Sequence, residues 1–86
     1  MEIEFDPAKD AANLAKHGIS LARTAELEIL RVVEDERAYG ERRFWLFGLI
    51  EGEAYCATVT FRGPVVRAIS VRRANRKERN RYDLQA

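Results

Sequence analysis

Apolar and polar positions alternate at the start of the chain, shift to a helical period, and return to alternation near residue 30. Ile3 and Phe5 alternate with Glu2 and Glu4, which predicts a short half-buried strand. Ala8, Ala11, Ala12 and Ala15 then recur at i, i+3, i+4 and i+7, an apolar stripe of small residues that suits a closely packed helix. Asp6 is a good N-cap for it, Pro7 fits its first position, and Gly18 fits the residue just past its end, with Lys16 and His17 on the negative end of the dipole. Ser20 starts a second predicted helix that runs to about Ile29, with Leu21, Ala22, Ala25 and Ile29 as its buried side. From Leu30 the period is two. Strands are predicted over Leu30–Arg37, Arg43–Ile50, Ala54–Arg62 and Val65–Arg73, with turns at Gly40, Glu51-Gly52 and Gly63-Pro64. A terminal helix begins at Ala74 or Asn75 and runs to about Leu84. The predicted class is α+β, in the order β-α-α-β-β-β-β-α. An antiparallel sheet carries the two N-terminal helices on one face and is followed by a C-terminal helix.

Strand parity separates the core from a possible site. Tyr55, Ala57, Val59 and Phe61 form one face of their strand, and Cys56, Thr58, Thr60 and Arg62 the other. Ile69 and Val71 point one way in the last strand, and Ala68, Ser70 and Arg72 point the other. Joined on the Val59 side, these strands put Thr58, Thr60, Arg62, Ser70 and Arg72 on one surface. Two guanidiniums and three hydroxyls on a rigid sheet make a phosphate seat; equally, such residues form the ordinary solvent face of an antiparallel sheet. Arg67 has the parity of Ile69, so it is expected either at the sheet margin or snorkelling there. Phe44, Trp45 and Phe47 are expected in core and sheet-face packing rather than as a base-stacking platform.

Eighty-six residues bound the chain to one domain with one small core, spanning 1–86. The formal net charge of +1 hides an asymmetry. Residues 1–41 hold ten acids and five bases, whereas residues 42–86 hold four acids and ten bases. The cationic half is densest in RAISVRRANRKERNRY, residues 67–82, where seven residues are basic and only Glu78 is acidic. A strand feeding such a helix suits phosphate or an acidic protein. Cys56 is the only cysteine, so no intrachain disulfide forms, and its apolar surroundings suit a small core residue. MEIEFD has neither the basic start nor the apolar run of a secretory signal, and no stretch approaches the length of a membrane helix. The expectation is a cytoplasmic protein with no membrane association.

The chemistry on offer is narrow. One His and one Cys do not make a usual zinc site, and no P-loop, dinucleotide fingerprint or nucleophile elbow is present. No metal and no cofactor is expected. Glu78 and Tyr82, at i and i+4, share a helix face and offer a proton acceptor or donor and a phenol, or simply a surface contact. His17 is the single side chain of the type that exchanges protons near neutral pH, and its position also suits helix capping.

Three segments in order, FDPAKDAANLAKHGIS, YGERRFWLFG and RAISVRRANRKERNRY, resemble the BrnT family of bacterial type II toxins. The family pattern opens with an aromatic residue and Asp-Pro, then Asn-x-x-Lys-His-Gly. A Gly-Glu-x-Arg turn, an Arg-x-Ile-Ser-x-Arg strand and an Ala-x-x-x-Glu-x-x-x-Tyr helix follow. Here these fall on Phe5, Asp6, Pro7, Asn13, Lys16, His17, Gly18, Gly40, Glu41, Arg43, Arg67, Ile69, Ser70, Arg72, Ala74, Glu78 and Tyr82. The resemblance implies a RelE-like ribonuclease fold, RNA cleavage and growth arrest. It also implies a BrnA-like antitoxin with a ribbon-helix-helix domain, through which alone the complex would meet operator DNA. One departure is the connection LEILRVVEDER, which is shorter than usual in the family and lacks Pro. Either the second helix runs on or the strand starts early.

On this reading the chain is a metal-independent endoribonuclease. Arg62 and Arg72 would bind and stabilise the phosphate beside Ser70, with Arg67 assisting. Glu78 or His17 would take the proton, and Tyr82 would orient or donate. Arg67, Arg73, Arg76, Lys77 and Lys16 would hold the RNA. The alternative is a non-catalytic basic module that binds nucleic acid or an acidic protein through the same surface, for which the charges alone suffice.

Overall fold

The computed structural model describes residues 1–37 and 40–85. Tyr39 of the YGERRFWLFG segment lies outside the described residues. Five strands form one sheet: β1 Ile3–Glu4, β2 Glu28–Asp35, β3 Arg43–Ile50, β4 Glu53–Arg62 and β5 Val65–Arg73. Their order across the sheet is β1-β5-β4-β3-β2. Strands β2 to β5 make the expected antiparallel meander, whereas β1 pairs with β5 in parallel. Two helices accompany the sheet, α1 Pro7–His17 and α2 Arg76–Arg81.

Helix α1 starts and stops where its caps put it. The Asp6 side chain accepts from the Ala8 N–H, and Gly18 at φ 72° gives its N–H to the Leu14 carbonyl. Its buried side is not the expected one. Ala8, Ala11, Ala12 and Ala15 are exposed, and Asn13 is the buried residue of the helix. Hydrogen bonding decides the orientation. Asn13 Nδ2 donates to the Ile19 and Val71 carbonyls, 2.9 Å each, and Oδ1 accepts from the Val71 N–H at 3.1 Å. The two-residue β1 pairs only with Val66 and Arg67, so the amide of Asn13 takes a strand's place at Val71 on the β5 edge. Three buried hydrogen bonds outweigh what four methyl groups gain by burial.

The second helix is also revised. Leu21–Glu26 forms a 3-10 turn, and β2 begins at Glu28. Ser20 caps the turn as expected, aided by Asp10, whose carboxylate accepts from the Ser20 hydroxyl and the Leu21 N–H. The Leu27 N–H then closes on the Thr24 carbonyl, and Ile29, Val32 and Val33 favour the strand that follows. The strand therefore starts early in the LEILRVVEDER joint. Leu21 and Thr24 are buried, whereas Ala22, Ala25 and Ile29 are exposed.

Both sheet faces are covered. Ile19, Leu21 and Leu27 cover Leu46, Ile50, Ala57, Val59, Ala68 and Val71 on one face. On the other, Ala74, Leu84 and Tyr82 cover Phe47, Leu49, Ala54 and Cys56. Phe47 and Cys56 are buried as expected, and Phe44 and Trp45 are half-buried against the two cores. Helix α2 ends at Arg81, short of Leu84. Asp83 turns left-handed at φ 53°, and the Leu84 N–H returns to the Arg79 carbonyl at 3.0 Å. That bond pattern closes a helix and drops the next apolar residue onto the core.

Two bulges revise the strand parity. One lies between Ile29 and Arg31 in β2, the other opposite Thr58 and Val59, where Ile69 is the extra residue of β5. Ser70 faces Thr58, but Ala68 faces Val59 and Arg67 faces Thr60. Arg67 therefore shares the face of Thr58, Ser70 and Arg72 and is not confined to the margin.

Candidate active site

The face of the sheet that carries α2 is arranged in rows. Phe47, Cys56 and Arg72 lie side by side on β3, β4 and β5, and Trp45, Thr58 and Ser70 form the next row. Helix α2 covers the first row and leaves much of the second open. On the far side of β5, the Asn13 clamp fixes α1 against the strand edge. Residues 9, 12, 13, 16 and 17 fall at i, i+3, i+4, i+7 and i+8, one stripe of the helix. They meet Ile69 and Ser70 around a cleft of about 200 Å³. Lys9, Lys16 and His17 thereby stand at Ser70.

Arg72 is held from the α2 side. Its two terminal nitrogens donate to the two oxygens of Glu78, 2.8 Å each, and one also donates to the Arg73 carbonyl at 3.1 Å. The same Glu78 closes a capping box. Its Oε1 accepts from the Asn75 N–H, while the Asn75 side chain accepts from the Glu78 N–H, both at 2.9 Å. A six-residue helix is far too short to persist by propensity, so these bonds and the buried Leu84 hold it. The Arg72 guanidinium draws the Glu78 carboxyl below its ordinary range, burial works against this, and the Asn75 N–H adds to it. Glu78 in turn raises Arg72. The carboxylate that the sequence offers as a proton acceptor is thus ionised, with both oxygens engaged. Burial pushes the neighbouring Cys56 thiol up to about 12, which keeps it protonated and inert as a nucleophile.

A second cleft, of about 340 Å³, opens between β3 and α2. Trp45, Phe47, Lys77, Glu78, Arg81 and Tyr82 line it. The Tyr82 ring stacks on Phe47 with centroids 4.4 Å apart and planes at 27°. Tyr82 and Glu78 do share one face of the α2 segment, as their spacing requires.

The structure thus places Lys16, His17 and Ser70 at one cleft and Lys77, Glu78 and Tyr82 at another, with Arg72 of β5 joined to Glu78. Other candidates stand apart. Arg62 shares the face of Arg72 by alternation but lies six residues along β4 from Cys56, the partner of Arg72, which is roughly 20 Å of strand. It lines a separate cleft with Arg42, Phe44 and Phe61. Arg67 is on the site face and pairs with Glu4 at 3.6 Å. Arg73 lies opposite Tyr55, on the other face, and pairs with Glu53 at 2.6 Å. Arg76 is exposed at the start of α2 and lines neither cleft of the site. Sequence reasoning missed Lys9 and Arg81, and read Trp45 as packing. Lys9 had a signal in its seven-residue spacing from Lys16, and Arg81 in its i+4 spacing from Lys77.

A family model described as the ribonuclease toxin BrnT of type II toxin-antitoxin systems matches residues 5–78. Among solved structures, the fold is similar to that of the Brucella abortus ribonuclease toxin BrnT, determined at 1.1 Å. The two are 23% identical, with a TM-score of 0.65, over 88% of this chain and 99% of that one. At that identity the likeness speaks to the fold alone. No curated protein matches the chain. The family match spans most of the sequence and takes in α1, strands β2 to β5 and the Arg72–Glu78 pair; the chain belongs to the BrnT family, the ribonuclease toxins of type II toxin-antitoxin systems.

Proposed function

We propose that this protein is a metal-independent endoribonuclease that cleaves RNA through the ribose 2′-OH and so arrests growth. The observation that carries the reading is that Lys9, Lys16 and His17 of α1 line one cleft with Ser70, two residues along β5 from the Arg72 that Glu78 holds. The 2′-oxygen attacks the phosphorus and the 5′-oxygen leaves, giving a 2′,3′-cyclic phosphate and a 5′-OH. The phosphate gains negative charge on the way, where fixed cations act most strongly. Arg72 and the α1 lysines supply that charge. Glu78 is a positioning residue that holds Arg72, so the 2′-OH proton passes to His17, and Tyr82 is the candidate donor for the leaving oxygen. Among the described residues no three His, Cys, Asp or Glu side chains stand together to hold a metal ion, so the reading draws on the chain's own cations. An antitoxin partner follows from the family. We assign it a BrnA-like ribbon-helix-helix chain that covers this cationic face, brings the pair to operator DNA, and acts in the cytoplasm. Among the described residues no helix is long and apolar enough to cross a membrane.

The test is cleavage of a defined RNA with chelator present, beside the same RNA carrying one 2′-deoxy residue at the cut site. Activity that survives the chelator and stops at the deoxy position supports the mechanism. Full dependence on added divalent metal, or cutting at the deoxy position, rejects it. RNA binding with no cleavage at all favours a non-catalytic basic module.

A further inference from the structure

We propose that the substrate is single-stranded RNA and that Trp45 is the platform on which one of its bases stacks; this rests on the ribonuclease reading above. Trp45 sits in the middle of β3, paired with Val33 on one side and Thr58 on the other, so its ring is carried by a rigid strand. It is half-buried and lines the cleft beside α2. Phe47 and the Tyr82 ring stacked on it complete an aromatic surface there. Lys77 and Arg81 stand at the same cleft, and neither forms an ion pair among the described residues. The acid in the cleft, Glu78, is neutralised by Arg72. The Arg37 guanidinium stands over the Trp45 ring, 5.8 Å from its centroid, and that of Arg81 over the Tyr82 ring at 6.0 Å. A base on Trp45 takes the place of Arg37 or the opposite side of the ring. The cleft therefore offers aromatic rings with cations already set against them. That combination fits an aromatic base attached to a phosphodiester, the pairing by which single strands are held. A purely apolar ligand has no use for the cations, and a bare anion none for the rings.

The position also suits the chemistry. Trp45, Thr58 and Ser70 lie in one row across three adjacent strands, so the ring is about 10 Å from the Ser70 position. A base on Trp45 places its neighbouring phosphates toward Ser70 and Arg72. At about 340 Å³ the cleft takes an unstacked base and not a helix. A base still paired in an A-form duplex does not expose its face, which limits the substrate to loops, ends and single strands.

Trp45 is the only tryptophan, so the intrinsic fluorescence of the protein reports on this ring alone. Three short, end-labelled, 2′-O-methyl oligonucleotides resist cleavage and separate the contributions: a single strand, an abasic strand with the same phosphates, and a duplex. Label anisotropy reads binding, and tryptophan emission reads stacking. The expected result is binding of the single strand with quenching, and weaker binding of the abasic strand and the duplex without it. Trp45→Leu should weaken the single strand by about tenfold or more and leave the abasic strand unchanged; Trp45→Phe, which keeps the packing, should recover part of the loss. Equal quenching by the abasic strand, or equal affinity in Trp45→Leu, overturns the platform and leaves the ribonuclease reading standing. No anisotropy change with any oligonucleotide overturns both. Emission that responds to the antitoxin and not to RNA assigns the cleft to the protein partner and overturns the platform.

Discussion

Arg72 and Glu78 meet as a bidentate fork, two hydrogen bonds of 2.8 Å each, and the fork joins the last strand of the sheet to a helix of six residues. The pair fixes the Arg72 guanidinium beside Ser70's face of the sheet and anchors α2 at once. A carboxylate so engaged is a poor proton acceptor. Glu78→Gln keeps the capping box and one arm of the fork, because Gln serves at the third helical position as well as Glu does. RNA cleavage should therefore fall by about tenfold or less, the loss of a positioning contact. A general base contributes roughly a hundredfold to ten-thousandfold. Single-turnover rates decide between the roles: a thousandfold loss in Glu78→Gln makes the carboxylate the base.

The same fork predicts an acid limb of stability. The Glu78 carboxyl titrates below its ordinary 4.5 in the folded chain, chiefly through its bonds to Arg72. Its proton thus binds more weakly to the folded than to the unfolded chain. The stability this contributes is fully present above the unfolded value and is lost as pH falls through the folded one. Glu26 and Glu34, lowered by bonds to Arg23 and Arg42, shift the same way from exposed positions. Urea denaturation of the parent chain and Glu78→Gln should show a gap above about pH 4.5 that closes below it. A gap constant with pH assigns the loss to packing.

Much of the scaffold was legible and part of the site was not. The bounds of β3 and β5, the caps Asp6, Gly18 and Ser20, and the core place of Cys56 follow from period and local chemistry, which the chain carries in each window of residues. The bulge at Ile69 depends on how β5 registers with β4, so parity within β5 alone put Arg67 on the wrong face. The inward side of α1 was misread because hydrophobicity weighs four alanines above one Asn, whereas the Asn13 amide finds three backbone partners. Arg62 and Arg72 share a face, yet alternation carries no information about distance along the strand. The Asn75-x-x-Glu78 capping signature was in the sequence and would have shown Glu78 to be occupied.

Asn13 should matter to both fold and activity. Asn13→Asp keeps the acceptor for the Val71 N–H but turns a second oxygen toward the Ile19 and Val71 carbonyls. Two buried carbonyls then lose their donor, at about 1–3 kcal/mol each. Lys16 and His17 ride one turn further along the same helix, so cleavage should fall even at temperatures where the variant stays folded. Amide exchange at Val71, with thermal melting and cleavage measured together, tests this. Protected exchange with an unchanged melt removes the clamp from the account.

Gly48 has no room for a side chain. A Cβ there lies 2.0 Å from the Glu28 carbonyl oxygen and 3.1 Å from the Ile29 Cα, both backbone atoms of the bulged start of β2. Gly48→Ala must push β2 away from β3, at about 3 kcal/mol by the usual cost of overpacking. The loss should appear in chemical denaturation, with β2 amides exchanging first. A variant as stable as the parent shows that β2 yields without cost at its bulge.

The antitoxin should compete with RNA for the cationic face. Residues 42–86 carry ten bases against four acids, and the α1 lysines add to that charge at the site. An acidic or amphipathic segment laid over Ser70 and Arg72 would cover the phosphate seat and the Trp45 cleft together. Binding of the co-encoded antitoxin should then weaken steadily with salt, since charge pairs at a solvent-facing interface are screened. The double variant Lys9→Glu, Lys16→Glu places two acids beside Ser70 without touching the buried Asn13, and it should weaken both RNA and antitoxin, each by about tenfold or more at low salt. Calorimetric titration of both ligands, at low and high salt, gives the comparison. Antitoxin affinity that ignores salt and the double variant, while RNA binding is lost, places the antitoxin on an apolar surface away from this face. The exposed alanine side of α1 is then the next surface to vary.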